Sequence, residues 1–262
     1  MSKGLVVLKL GGSIITDKSE RLRPDEEAIG SLAREIASSG VRELVIVHGG
    51  GSFGHPLAAD YGLSEGFRGP EQLRGLAETH LAMEELNKLV VSALLAEGLP
   101  AVPLPPISCF TTKGKRISRA FLGPLKALLA LGAMPVLYGD VVLDEELGFT
   151  ILSGDQIAAY LALALGAERV VLCLRVPGVF TRNPEEDPSA ELIERLRPED
   201  VKHVETGRLR VADVTGGMRK KLEEMAPVAA AGIPVFFTSP RPPGNLARAL
   251  RGERAVGTLL SR

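Results

Sequence analysis

Residues 48–55, HGGGSFGH, combine glycine with histidine directly after the apolar run LVIV at 44–47. Glycine tolerates positive φ and allows backbone N–H groups to approach an anion closely. His55, at the end of the segment, can donate a hydrogen bond to a phosphate oxygen and is positively charged when protonated. The segment therefore predicts a phosphate-holding loop, although it equally suits a tight turn that carries a surface histidine.

A second candidate phosphate site lies near the N-terminus. Residues 5–10, LVVLKL, are apolar except for Lys9, and they predict a buried strand that runs into the glycine pair at 11–12. Burying an unpaired lysine costs several kcal/mol, so Lys9 is expected to reach an anion or a carboxylate at the strand end. Together with Lys18 it can converge on one oligophosphate. The alternative is an edge strand whose lysine reaches solvent.

A third basic site is predicted where residues 213–218, DVTGGM, lead into a helical pattern at 219–231. Thr215 suits the N-cap position, and a helix N-terminus carries a partial positive charge that attracts phosphate. Lys221, one turn into this helix, would meet the same phosphate, although a lysine at such a position is more often solvated.

Helical and extended segments alternate along the chain, which is typical of a parallel sheet with helices on both faces. Helices are predicted at 24–40, 71–98, 122–131, 156–165, 219–231 and 245–250, and strands at 5–10, 44–47, 101–104, 134–138, 169–174, 233–238 and 257–260. Residues 113–119 and 141–152 resemble hairpins, and Ser153 or Asp155 is expected to cap the helix at 156–165. We expect one α/β domain over residues 1–262, a three-layer αβα sandwich with one continuous, mainly parallel, open central sheet.

Composition limits the classes of function. With 262 residues, 45% of them hydrophobic, the chain can bury a full core without a metal or cofactor. Its 31 basic and 32 acidic residues leave no global field that attracts nucleic acid or a membrane, so any anion site is local. Cys109 and Cys173 suit buried, reduced thiols, and no apolar run has signal or membrane-spanning length. We expect a soluble, cytoplasmic protein.

These motifs, in this order and over nearly the whole chain, resemble the amino acid kinase superfamily. Residues 9–13 (KLGGS), combined with the segments 48–55 and 213–218, are similar to the isopentenyl phosphate kinases of the archaeal mevalonate route. The resemblance implies transfer of the γ-phosphoryl group of ATP to isopentenyl phosphate, which yields isopentenyl diphosphate for isoprenoid biosynthesis. It further implies Mg²⁺ carried on the ATP phosphates and a homodimer.

The resemblance also implies roles for individual residues. Those expected to act in catalysis are Lys9, Lys18, His55, Asp155 and Lys221, with Asp155 holding the lysines in place. Those expected to bind ATP are Lys9, Leu10, Gly11, Gly12, Ser13, Gly51, Gly217 and Lys221. Those expected to bind the acceptor are Gly50, Gly54, His55 and Gly154. No residue is assigned as a metal ligand. The part from about 1 to 150 is expected to hold the acceptor, and the part 151–262 the nucleotide.

Two departures from the family pattern and three rival functions remain. Residues 175–178, RVPG, stand where relatives carry an acidic DVDG, so we expect the nucleoside contacts there to differ. YGD at 138–140 replaces a common HGD, a change we expect to be tolerated. A phosphonate acceptor, as in fosfomycin kinases of the same fold, is the nearest alternative, and a carboxylate acceptor is a more remote one. The third rival function is that of a non-catalytic nucleotide-binding module.

The helix predicted at 71–98 bears on the choice of acceptor. It carries an apolar stripe that should face the sheet, and part of this stripe could wall a pocket for a hydrocarbon tail. The stripe consists of Leu73, Leu76, Ala77, Leu81, Leu86, Leu89, Val90 and Leu94.

Overall fold

The computed structural model describes residues 4–17, 19–182, 184, 187–205 and 217–262, with only the backbone of 202–205. The strands found there are β1 (Val6–Leu10), β2 (Leu44–His48), β3 (Ala101–Pro103), β4 (Phe110–Lys113), β5 (Arg116–Ala120), β6 (Met134–Tyr138), β7 (Asp140–Asp144), β8 (Gly148–Leu152), β9 (Arg169–Cys173), β10 (Arg195–Leu196), β11 (Val235–Thr238) and β12 (Gly257–Leu260). The α-helices are α1 (Gly12–Ile15), α2 (Glu26–Ser38), α3 (Gly51–Asp60), α4 (Gln72–Ala96), α5 (Gly123–Ala130), α6 (Gly154–Leu165), α7 (Pro198–Glu205), α8 (Met218–Ala230) and α9 (Asn245–Arg251).

The strands form two sheets. The larger has the order β10-β12-β11-β9-β1-β2-β6-β3, and all its pairs are parallel except β11 with β12. This confirms the mainly parallel sheet that the alternation of helical and extended segments predicted. The smaller sheet has the order β5-β4-β7-β8. The expected single continuous sheet is therefore wrong, because the two predicted hairpins pair with each other through β4 and β7 rather than extending the large sheet.

Alternate residues of β1 face opposite layers of helices. Val7 lies in a core cluster filled by α6 and α8, whereas Leu8 and Leu10 lie in a cluster filled by α2, α4 and α9. Because successive side chains of a strand point to opposite faces, Lys9 points to the same layer as Val7. The buried lysine of the strand is thus directed toward α6.

Two predicted elements need correction. Residues 51–55, predicted as part of a glycine loop, begin helix α3 instead. Burial of Phe53 and Ala58 against the core outweighs the poor helix propensity of Gly54 and Pro56. Helix α4 does not bury the whole predicted stripe, since Leu73 and Leu81 are exposed.

The first half of α4 buries a different face, formed by Gly75, Thr79 and Met83. A Cβ on Gly75 would lie 2.1 Å from the ring of Tyr61, so this glycine allows the close approach that sets the rotation of the helix. Ala77 also points to solvent, whereas Leu86, Val90 and Leu94 are buried as expected. Apolar spacing alone predicted which residues are buried in the C-terminal half of the helix and failed to do so in the N-terminal half.

Both cysteines, Cys109 and Cys173, are free and buried, as their apolar surroundings predicted. Among the helices of the described part of the chain, none has both the length and the apolar character needed to cross a bilayer.

Candidate functional site

The two N-terminal glycine segments contact each other at one edge of the large sheet. Strands β1 and β2 are parallel neighbours, so the segments that follow them start side by side. A Cβ on Gly12 would lie 2.4 Å from the nitrogen of Gly51, and a Cβ on Gly49 would lie 2.7 Å from the nitrogen of Gly12. Gly51 also has a positive φ of 50°. These glycines are required for backbone-to-backbone contact, a role that the sequence did not indicate.

Thr16 fastens the contact between the segments. Its hydroxyl donates a hydrogen bond to the carbonyl oxygen of Gly12 (2.9 Å) and accepts one from the backbone N–H of Ser52 (3.1 Å). The loop after β1 and the first turn of α3 therefore form one rigid unit.

The N-termini of three helices border one cavity. Gly51 begins α3, Gly154 begins α6, and Gly217 is the N-cap of α8; all three residues line the cavity. Helix N-termini present N–H groups and a partial positive charge, which makes their convergence suitable for binding several anionic groups. The predicted N-cap Thr215 is wrong: that residue lies outside the described part, and Gly217 occupies the position.

Asp155 brings two lysines together. Its Oδ1 lies 2.7 Å from Nζ of Lys9, and its Oδ2 lies 3.9 Å from Nζ of Lys221. Burial pushes the pKa of Asp155 upward, but the two ammonium groups outweigh burial and the net shift is downward. Ser153 caps α6 by accepting a hydrogen bond from Gln156 N–H (3.2 Å), so the carboxylate of Asp155 is left for the lysines.

The cavity has a volume of about 900 Å³, near the upper end of the range of small-molecule sites. Lys9, His55, Asp155 and Lys221 all border it, so the structure brings together four of the five predicted catalytic side chains. His55 lies one turn into α3 and is exposed. The predicted site residues that line the cavity are Lys9, Gly11, Gly12, Ser13, Gly50, Gly51, Gly54, His55, Gly154, Asp155, Gly217 and Lys221. Leu10 is buried and does not line it, and Lys18 lies outside the described residues.

Helix α4, which the sequence allowed as a wall of an acceptor pocket, borders the cavity, but none of the residues of the predicted stripe lines it. Thr79 and Met83 of α4 line it, together with Ala58, Asp140 and Ile151. A Cβ on Gly54 would lie 2.8 Å from the sulfur of Met83, so this side chain packs against the segment that begins α3. Sequence periodicity could not find this wall, because the α4 residues concerned lie off the apolar stripe.

Asp140 pairs with His80 at this wall. The His80 Nδ1 atom lies 2.7 Å from Asp140 Oδ2, and Asp140 Oδ1 accepts a hydrogen bond from the backbone N–H of Val141 (2.8 Å). Burial raises the pKa of Asp140, and the bond to the carboxylate raises the pKa of His80. The YGD triplet at 138–140 contains this acid, but no role was predicted for Asp140 and nothing in the sequence linked it to His80.

His48, the first residue of the glycine segment, faces inward. It is fully buried, its ring stacks on Tyr138 at a centroid separation of 5.4 Å, and its Nε2 lies 3.1 Å from the Asn87 side chain. Its Nδ1 lies 3.1 Å from the carbonyl oxygen of Gly49 and its Nε2 faces Oδ1 of Asn87; because both oxygens only accept, the single N–H of a neutral ring donates to one of the two. Burial lowers the pKa of His48 to about 4 and keeps the ring neutral.

Comparison with known proteins assigns this arrangement to a family. The model of the amino acid kinase family matches residues 4–239. The chain belongs to the amino acid kinase family, a class of phosphotransferases that use ATP.

Within that family the chain is similar to isopentenyl phosphate kinases. It is 40% identical to that of Methanothermobacter thermautotrophicus, over 98% of this chain and 99% of the relative. It is 38% identical to that of Haloferax volcanii, over 98% of each chain. A crystallographic structure of an isopentenyl phosphate kinase superposes with a TM-score of 0.85 and 37% identity, over 98% of this chain and 100% of the other. These findings confirm the predicted resemblance and fold class.

Proposed function

We propose that this protein transfers the γ-phosphoryl group of ATP to isopentenyl phosphate and forms isopentenyl diphosphate. One observation carries the proposal: Lys9, His55 and Lys221, which are far apart in sequence, border a single cavity together with three helix N-termini. Such a cavity can hold two phosphate-bearing molecules end to end. The similarity of the chain to isopentenyl phosphate kinases supports isopentenyl phosphate as the acceptor.

The acceptor phosphate needs no general base. Its second pKa is about 6, so near neutral pH an unprotonated oxygen is available as the nucleophile. This oxygen attacks the γ-phosphorus of ATP, the bond from that phosphorus to the β,γ-bridging oxygen breaks, and ADP leaves. The obstacle is repulsion between two anions, which positioned cations and N–H groups offset.

The proposed roles follow from position. Lys9, Gly12 and Lys221 would bind the nucleotide phosphates, and Asp155 would hold the two ammonium groups toward them. Gly50 and His55, at the start of α3, would bind the acceptor phosphate together with Gly154 of α6. His55 would donate a hydrogen bond rather than remove a proton. In the proposed division of the chain into an acceptor-binding part before about residue 150 and a nucleotide-binding part after it, α6 and α8 both belong to the nucleotide-binding part.

The wall near α3 favours a hydrocarbon tail on the acceptor. Met83, Ala58 and Ile151 offer apolar surface beside the N-terminus of α3, where the acceptor phosphate would bind. Burying the five-carbon tail there contributes on the order of 0.8 kcal/mol for each methylene-sized group. A phosphonate with a small polar epoxide would gain less.

An ADP-release assay with three acceptors tests the proposal. We expect turnover with isopentenyl phosphate, and a kcat/KM at least about tenfold above that for fosfomycin, because pocket contacts of this size discriminate by that amount. Dimethylallyl phosphate, which has the same number of carbons, serves as the matched acceptor. A preference for fosfomycin would make the protein a phosphonate kinase, and no ADP release with any acceptor would make it a binding module.

Three further properties belong to the proposal. ATP would carry Mg²⁺ on its phosphates; within the described residues no three His, Cys, Asp or Glu side chains cluster as metal ligands. A homodimer and a place in the mevalonate route of isoprenoid synthesis are implied by the family resemblance, and a cytoplasmic location remains a prediction. Light scattering measures the dimer, and activity across a Mg²⁺ titration measures the metal requirement.

A further inference from the structure

The turn between β4 and β5 is held in a defined geometry by the smaller sheet. Lys113 pairs with Arg116, and the two residues between them, Gly114 and Lys115, have positive φ values of 56° and 69°. This is the geometry of a two-residue hairpin turn. The carboxylate of Asp144 in β7 accepts hydrogen bonds from the backbone N–H groups of Gly114 (3.2 Å) and Lys115 (2.9 Å). The turn is therefore a rigid element.

One side of this turn is bonded to α6. Gln156 follows Asp155 in the first turn of that helix and is buried. Its Oε1 accepts a hydrogen bond from the backbone N–H of Ile117 (2.9 Å), and its Nε2 donates one to the carbonyl oxygen of Lys115 (3.1 Å). Both ends of the amide thus bind the hairpin, directly beside the carboxylate that pairs with the lysines.

The other side of the turn is bonded to α8. The Arg116 guanidinium makes a two-point contact with the Glu224 carboxylate, in which Nη2 donates to Oε2 at 2.9 Å and Nη1 donates to Oε1. Glu224 lies three residues beyond Lys221 and therefore on the same side of α8. A two-point contact between arginine and a carboxylate fixes orientation as well as distance.

We propose that Arg116 and Gln156 are positioning residues that make the hairpin a brace between α6 and α8. The brace sets the distance of Lys221 from Asp155 and from the phosphoryl group being transferred. Because it concerns phosphoryl transfer, this inference rests on the proposed function. The Nζ atom of Lys221 lies 3.9 Å from the carboxylate of Asp155 and donates a hydrogen bond to the carbonyl oxygen of Gly217 (3.3 Å), the N-cap of α8, so its distance from Asp155 depends on where α8 lies.

Variants of the Arg116–Glu224 pair separate positioning from charge. We expect Glu224→Gln to lower kcat about tenfold with little change in the KM for ATP, because a displaced lysine is missed mainly in the transition state. Arg116→Ala should lower kcat equally and also raise the KM for ATP, since it leaves an unpaired carboxylate beside the cavity. Arg116→Lys should fall between, because it keeps the charge and loses the two-point contact.

Arg119→Ala is the matched control. Arg119 lies on the same strand and pairs with Glu145 (3.2 Å), away from α8. Its kcat should equal that of the unaltered protein. Hydrogen–deuterium exchange of the backbone amides at 218–224 gives a second readout. We expect this exchange to be faster in Arg116→Ala and Glu224→Gln than in Arg119→Ala.

The outcomes are distinct. A kcat within twofold of the unaltered protein for both Glu224→Gln and Arg116→Ala would overturn the brace, as would an equal loss in Arg119→Ala. If the unaltered protein transfers nothing to isopentenyl phosphate, the proposed function fails instead. The exchange rates at 218–224 then still decide whether the hairpin holds α8 in place.

Discussion

At the scale of single residues, Asp155 organises the charge of the site. A carboxylate between two ammonium groups keeps Lys9 and Lys221 close together, although like charges repel. Bound phosphates would add the further negative charge that this pair of cations can stabilise. The sequence correctly predicted that Lys9 reaches a carboxylate, because a lysine in a buried strand requires a partner.

Removing the Lys9 ammonium group should impair the chemical step. We expect Lys9→Ala to lower kcat about 10²–10³-fold, as loss of a transition-state contact does, while the KM for ATP changes by only about a few-fold. Steady-state kinetics with isopentenyl phosphate provide the measurement. Lys126→Ala, on the exposed surface of α5, is the control and should leave kcat unchanged. An unaltered kcat in Lys9→Ala would refute the role of this lysine.

His55 is tested by two replacements that differ in hydrogen bonding. His55→Gln keeps a neutral donor and should retain part of the activity, whereas His55→Ala should lose about 10²-fold in kcat/KM for the acceptor. The comparison isolates the hydrogen bond, because both variants remove the titratable ring. Near-normal turnover of His55→Ala would show that the acceptor phosphate binds elsewhere.

At the scale of elements, the glycine segments matter first because they allow two backbones to touch. The sequence indicated glycine for phosphate binding, but the contact between the segments depends on strand order, which no local pattern reveals. For the same reason the helix that begins at Gly51 was missed: its glycines and Pro56 resemble a loop, and burial of Phe53 and Ala58 explains why it is helical. The Arg116–Glu224 contact likewise depends on tertiary structure.

A methyl group at the contact should separate the segments. Gly12→Ala would place its Cβ against the backbone of Gly51, so we expect a loss of about 1–3 kcal/mol in the free energy of unfolding and a marked fall in kcat. Gly30→Ala in α2 is the matched control. The nearest atom there is 3.6 Å away, and alanine in a helix interior should stabilise by about 0.5–1 kcal/mol. Urea unfolding measures both; equal stabilities would contradict the predicted contact.

At the scale of the whole molecule, sheet topology brings the site together. The parallel neighbours β9, β1, β2 and β6 end at one edge, and the segments after β1 and β2 meet there with α6 and α8. Alternation of apolar strand-like runs with helical patterns along the sequence predicted the parallel sheet and most helices. It did not predict the second sheet, since pairing between distant hairpins leaves no local signal.

Stability should depend on pH through His48. The pKa of this ring is about 4 in the folded protein and about 6.5 when unfolded, so the unfolded chain binds the extra proton first. The contribution of the neutral His48 ring to the free energy of unfolding is therefore complete above pH 6.5 and is lost as the pH falls toward 4. We expect a loss of about 2 kcal/mol between pH 7 and pH 5. Urea unfolding should show this loss, and His48→Gln should reduce it. An identical pH dependence in the two proteins would show that His48 is not the group responsible.

The most direct test of the account is a crystal structure with isopentenyl phosphate and a non-hydrolysable ATP analogue bound together. We expect both ligands in the cavity bordered by Lys9, His55 and Lys221, with the acceptor oxygen about 3–3.5 Å from the γ-phosphorus and in line with the bond that breaks. An acceptor phosphate bound away from His55, or a γ-phosphate out of reach of both lysines, would contradict it.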